Sequence, residues 1–403
     1  MQPPSAPNRA SPFPITTDFS LVIGGPLFQI LRRLHLEDDA LTLLKRRIVI
    51  ISLAAWAPLL LLSAVEGRLW GGEVEVPFLR DISTHIRFLI GLPLLIAAEL
   101  IVHQRVRGLV EQFFERDLIP ETARDRFSEA IASAMRLRDS VIAELLLVAF
   151  VYAVGVTVIW RQFIALDVST WYTIPGPGGG VLTVAGLWFC YASLPISQFL
   201  LVRWYFRLFI WARFLWQVSR IKLRILPIHP DGVGGLAFLG GIAHALTLLA
   251  ATHGVLLAAV LADAILLAGA SLADYKLEIA VIVAFMLLMV LGPLLVFTPQ
   301  LAAAKRRGNR EYGAFAQSYA RGFDAKWLRD DPPQSEPLLG TADIQSMADL
   351  NNVVSVVRGM QIVPVTKQAV TQVTLATLAP LAPLLLTMMP LEELLKVLLG
   401  VVM

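Results

Sequence analysis

The chain holds one cysteine, Cys190, and only 16% of its 403 residues are charged, against about 25% in soluble domains. A single thiol excludes an intrachain disulfide and leaves the redox compartment open. No GxxxxGK[ST], HExxH or GxSxG motif occurs, so nothing points to phosphate-loop, zincin or serine-hydrolase chemistry. The first twenty residues are rich in Pro and Ser, with no apolar core behind a basic start. They predict a disordered tail and no cleavable signal peptide. Net charge is only +3, and the pI of 9.1 rests on arginines confined to alternate loops. That distribution belongs to membrane topology, so no nucleic-acid partner is expected.

What the chain has in excess is apolar: 56% of residues are hydrophobic and mean hydropathy is +0.67. Crossing a bilayer takes about 20 such residues in helix. Ile48–Val65, Ile86–Val102, Val141–Trp160, Val181–Val202, Gly241–Ala262 and Ile279–Thr298 qualify, with Gln368–Met389 as a seventh candidate broken by Pro380 and Pro383. The expected class is an all-α integral membrane protein with six or seven transmembrane helices and helical cytoplasmic extensions. The division that follows is a tail (1–20), an amphipathic cytoplasmic segment (21–47), transmembrane hairpins (48–102, 141–202, 241–298), a cytoplasmic helical hairpin (103–140), an interfacial aromatic and basic helix with a turn (203–240), a cytoplasmic helical segment (299–367), and a possible seventh span with an amphipathic end (368–403).

Loop charge sets the orientation. Basic residues crowd the segment before the first candidate and the connections after the second, fourth and sixth, and the other loops are poor in them. By the positive-inside rule the N-terminus is cytoplasmic, in the cytoplasmic (inner) membrane. Trp70, Trp160 and Trp171 on one side, with Trp204, Trp211 and Trp216 on the other, suit interfacial belts. Pro93, Pro195 and Pro293 stand 102 and 98 residues apart in the even-numbered candidates. That spacing fits either a threefold hairpin repeat or the ordinary frequency of Pro in spanning helices.

Two features carry the functional expectation. In "HPDGVGG", Pro230, Asp231 and Gly232 form a turn signature, and Asp231 is placed to cap the next helix. Ionisable groups also sit near the cytoplasmic ends of the spans, where they are costly and so usually functional. Glu99, Glu144, His229, Asp231 and His244 form the candidate ion or proton site, with His103 and His253 as secondary candidates. His253 reads more simply as a packed histidine bonded to backbone or to Thr252. Carboxylates beside imidazoles are also donors for a divalent metal, the one cofactor considered, although no ExxH pair of the di-iron type occurs. Arg203, Arg207 and Arg213, set among aromatics, are candidates for anionic lipid headgroups.

The expectation is an oligomeric channel or transporter for a small ion or solute, with a constriction at that ionisable cluster. Its rival is a non-transporting sensor or scaffold presenting cytoplasmic helices to a protein or lipid. A membrane-embedded enzyme using the cluster for metal ranks third. Expected partners are the bilayer and further copies of the chain.

Overall fold

A computed structural model of the chain describes residues 19–33, 43–71, 74–159, 169–174, 180–329 and 342–387. Backbone in lipid must bond to itself, and helix does this within one segment. The helices are α1 (Pro26–Arg33), α2 (Leu44–Val65), α3 (Ile82–Ile86), α4 (Leu92–Glu115), α5 (Arg124–Arg138) and α6 (Val141–Phe150). They continue with α7 (Val184–Trp188), α8 (Leu194–Val218), α9 (Ile242–Ala245), α10 (Thr247–Ala268), α11 (Lys276–Leu291), α12 (Thr298–Asp324), α13 (Ala342–Gly359) and α14 (Lys367–Leu378). Among the described residues the only sheet pairs β1 (Thr173–Ile174) antiparallel with β2 (Val181–Leu182).

Six continuous helical stretches are long and apolar enough to cross a membrane: Leu44–Val65, Ile82–Glu115, Val184–Val218, Thr247–Leu267, Leu272–Arg329 and Lys367–Thr387. The protein is an all-α, multi-pass membrane protein. The set differs from the sequence candidates in two places. Val141–Trp160 gives a shorter apolar helix, Val141–Gly155, and Trp160 lies outside the described residues. The seventh candidate is a helix of spanning length, because Pro380 and Pro383 fall in its 3₁₀ end, Ala379–Thr387, where regular α-helical bonding has already stopped.

Two hairpin arms match element by element. α3 and α7 are each five residues long, each is followed by a five-residue π-helical turn (Arg87–Gly91, Phe189–Ser193), and each leads into a helix with Pro93 or Pro195 in its first turn. Leu92 donates its N–H to Arg87, and Leu194 to Phe189. The ladder steps back five residues where proline disturbs four-residue bonding. The caps match too: Asp81 accepts from Thr84 N–H, and Thr183 from Gly186 N–H. The first turns also receive an acid from another helix. Asp263 accepts from the N–H groups of Ile82 and Ser83 at 3.0 Å each, and Glu66 from those of Val184 and Ala185 at 2.8 and 3.2 Å. A carboxylate at a helix N-terminus is stabilising. The third proline, Pro293, sits instead in a 3₁₀ stretch, Gly292–Phe297, so the third arm departs from the pattern.

α10 packs against α3, α4 and α14. At the α10–α14 crossing a side chain on Gly254 would run into the carbonyl of Thr377, so only glycine permits this approach. Gln372 bridges the same pair by donating to Thr247 Oγ1 at 2.7 Å.

The aromatic and basic stretch after Val202 is a continuation of α8 to Val218, not a separate interfacial helix. Trp204 and Trp211 are buried, as is Trp171 on the opposite side, so three of the six tryptophans assigned to belts are core residues. Trp70 and Trp216 remain exposed. Trp211 packs edge-on against Phe19, with ring centroids 6.5 Å apart, and α5 folds back onto α8, burying Phe127, Ala130, Ile131 and Ala134. α12 continues the helix that begins at Leu272, so that one helical run covers 58 residues to Arg329.

Candidate functional site

On the arginine-rich side, four separate segments place ionisable side chains inside the bundle. α2 contributes Arg47 from its first turn, and α4 contributes Glu99. α8 contributes Arg203 and Arg207, four residues apart and therefore on one face, and α6 contributes Glu144 from its first turn. All five are buried; Arg47 is 2% exposed and Glu99 4%.

Glu99 is the hub. Its Oε2 pairs with Arg47, its Oε1 accepts from Arg207 Nη1 at 2.6 Å, and Arg203 Nη1 lies 3.7 Å from the same oxygen. Arg203 reaches the second carboxylate with its other nitrogen, Nη2, 3.2 Å from Glu144 Oε1. Glu144 also accepts the N–H of Leu27 at 2.7 Å, so it caps α1 and ties the N-terminal segment to the network. Arg207 stacks on Trp204, 4.9 Å from the ring centroid. In a medium of low dielectric each charge alone would be prohibitive, and only mutual pairing makes the set tolerable.

Beside the network lies a cavity of about 260 Å³ with apolar walls, among them Ile51, Ile96 and Phe199, and with Arg47, Glu99 and Arg203 in its lining. Both helices that carry the central charges, α4 and α8, begin at a π-helical turn, a feature frequent at functional sites.

The five primary candidates do not meet at one place. Glu99 and Glu144 are joined through Arg203. His229 and Asp231 pair with each other, Nδ1 to Oδ1 at 2.9 Å, and no hydrogen bond or ion pair among the described residues links them or His244 to the glutamates. Asp231 is a fold-forming residue: its carboxylate accepts from Val233, Gly235 and Ala237 N–H groups at 2.9, 3.1 and 3.1 Å. Burial works against its charged form, but those N–H groups and His229 outweigh burial and hold the carboxyl below its ordinary value. Gly232, Gly234 and Gly235 all have positive φ, which explains the glycine-rich sequence. The turn docks on a neighbour through Gln361 N–H, which donates to Gly232 O at 2.7 Å.

His103 Nδ1 lies 2.9 Å from Ser20 Oγ. His253 is a packed histidine: Nδ1 meets Leu249 O at 2.8 Å and Nε2 meets Tyr205 Oη at 2.7 Å. Its hydroxyl partner is therefore Tyr205, and Thr252 donates to Leu248 O instead. Arg203 and Arg207 turn inward to the glutamates, whereas Arg213 Nη1 donates to Ser133 Oγ at 2.8 Å. Among the described residues no group of three or more His, Cys, Asp or Glu side chains is placed to hold a metal ion.

Arg47 is the member of the network that sequence reasoning overlooked. It reads as one of three consecutive basic residues at a span entrance, where topology alone accounts for it. The four-residue spacing of Arg203 and Arg207 on a helix continuing from the fourth span was the available signal of inward-facing guanidiniums. No protein-family model matches the chain, and no curated protein or solved structure matches it.

Proposed function

We propose that the protein moves a small ion or solute across its membrane, as a channel or transporter, and that the Arg47–Glu99–Arg207 and Arg203–Glu144 pairs latch the arginine-rich end of the path. The observation that carries this reading is the burial of five charged side chains from four segments within an apolar bundle. A charge set of this kind is costly in lipid and is characteristic of transport pathways. The π-helical turns at which α4 and α8 begin support the same reading, since such turns are frequent at functional sites. Both carboxylates are already held by guanidiniums, so an entering cation would have to displace one. A latch that opens by exchanging partners suits this geometry better than a standing cation site. The loop charges favour a cytoplasmic-membrane location with the arginine-rich side inward, and assembly as a homo-oligomer belongs to the same proposal.

The test is flux from liposomes holding the purified protein, under cation, anion and organic-solute gradients between pH 5 and 8. The charge-balanced variant Glu99→Gln/Arg207→Gln is compared at matched elution volume. Protein-dependent flux in the wild type, changed several-fold in the variant, is expected. Absence of protein-dependent flux for every solute class sinks the transport reading.

A second reading is a sensor or scaffold, favoured by the helix that runs on through α12 to Arg329. α13 packs along it, and Phe315 and Leu328 are left exposed. A stoichiometric protein that co-purifies from membranes and is lost on Phe315→Ser would support it.

A further inference from the structure

The fold-back of α5 onto α8 creates a second site, independent of the ion-pair network. Between the two helices is an open cavity of about 520 Å³ whose lining includes Arg126 and Arg136 from α5, and Trp216, Gln217 and Arg220 from the end of α8 and just beyond it. The sole acid in that lining is Glu129. No ion pair or hydrogen bond among the described residues occupies the side chains of Arg126, Arg136 or Arg220; Arg220 instead stacks on Trp216, 5.1 Å from its ring centroid. Gln217 Oε1 is a buried acceptor with no donor. The walls are fixed, since Phe127, Ala130, Ile131 and Ala134 are buried against the bundle and Arg213 bonds Ser133 across the gap.

Among the described residues the buried guanidiniums of Arg47, Arg203 and Arg207 are paired with carboxylates, whereas Arg126, Arg136 and Arg220 are exposed and face a common space. Arginine binds phosphate oxygens through a planar fork of donors. The approach to the cavity is apolar: Phe209 and Trp216, two helical turns apart on one face of α8, are 56% and 49% exposed. An exposed tryptophan beside arginines at the end of a spanning helix is the chemistry of the headgroup layer.

We propose that the α5–α8 groove binds an anionic phosphate ester, with Arg126, Arg136 and Arg220 holding the phosphate and Trp216 forming the floor beside Arg220. A phospholipid would lay its acyl chains along Phe209, and a soluble phosphate ester would use the arginines alone.

The experiment uses the delipidated full chain in neutral detergent and reads tryptophan fluorescence during titration. The probes are dihexanoyl phosphatidylglycerol, dihexanoyl phosphatidylcholine and glycerol 3-phosphate. Saturable binding of the glycerol lipid, at least tenfold tighter than the choline lipid, is expected. Arg126→Gln/Arg136→Gln/Arg220→Gln should weaken it at least tenfold, while Arg306→Gln/Arg310→Gln/Arg321→Gln, with the same loss of charge, should not. Glycerol 3-phosphate binding as tightly as the lipid, with the same dependence on the groove arginines, identifies a soluble ester as the source. Equal binding of the two lipids, or equal loss in the two triple variants, overturns the site. Should the groove triple variant fail to elute as folded protein, Arg126→Gln and Arg220→Gln singly carry the same comparison.

Discussion

Glu99 and Arg207 meet at 2.6 Å inside the bundle, on two helices that each start at a π-helical turn. Removing one partner leaves a buried charge uncompensated, which typically costs about 3–5 kcal/mol, whereas removing both is far milder. Glu99→Leu is therefore expected to lose stability in that range, and Glu99→Leu/Arg207→Leu to recover part of it. Unfolding titrations in mixed micelles give the coupling energy directly. Additive losses would mean that the two side chains do not interact.

Gly254 provides a packing test. A methyl group there meets the Thr377 carbonyl, so Gly254→Ala should push α14 off α10 at a cost of about 1–3 kcal/mol. A thermal unfolding midpoint unchanged by this substitution would be incompatible with the crossing.

The Tyr205–His253 contact makes a chemical prediction. A ring nitrogen facing a carbonyl must carry a proton, so Nδ1 donates to Leu249 O, and a neutral Nε2 accepts from Tyr205. Tyr205→Phe removes the donor and leaves a buried acceptor, for an expected loss of about 1–3 kcal/mol. Nitrogen chemical shifts of His253 should report the Nδ1–H tautomer at neutral pH; the Nε2–H tautomer would reverse the assignment.

The Asp231 turn carries a pH dependence of definite sign. Its carboxyl is held below the ordinary value of 3.8, so its folded-state stabilisation is complete above that value. It is lost only as pH falls below 3.8 toward the lower folded value. Protection of the Val233, Gly235 and Ala237 amides relative to their intrinsic exchange rates should be high at neutral pH, fall as pH drops below 3.8, and be low at every pH in Asp231→Ala. Exchange at pH 7 that is the same in wild type and variant would contradict the turn's hydrogen bonds.

The helical class and most spans were legible because hydropathy and backbone self-satisfaction act locally along the chain. The Asp231 turn was legible for the same reason, since Pro, Asp and Gly encode a conformation within a few residues. The network was only half legible. Glu99 and Glu144 stand out as acids in apolar runs, but their partners come from distant segments. A surface arginine and a buried one look alike in sequence: Arg47, Arg203 and Arg207 resemble ordinary loop charge until α2, α4, α6 and α8 are assembled. The aromatic stretch misled for a related reason. Trp204 and Trp211 have the composition of an interfacial belt, but Trp204 turns to α4, where its indole donates to Leu95 O, and Trp211 packs on Phe19 of the N-terminal segment.

The unbroken run from Leu272 to Arg329 also has a mechanical meaning. The section from Thr298 to Arg329 is a rod of roughly 48 Å at 1.5 Å per residue. It joins α11 through the 3₁₀ stretch at Gly292–Phe297, and its base is clamped to the bundle: Leu301, Ala304 and Gly308 are buried, and Gln300 donates to the carbonyls of Ser219 and Ile221. A tilt of about 5° of that clamped base would sweep the Arg329 end through roughly 4 Å. A small reorientation of the packed spans would thus arrive at the Arg329 end enlarged by the length of the rod.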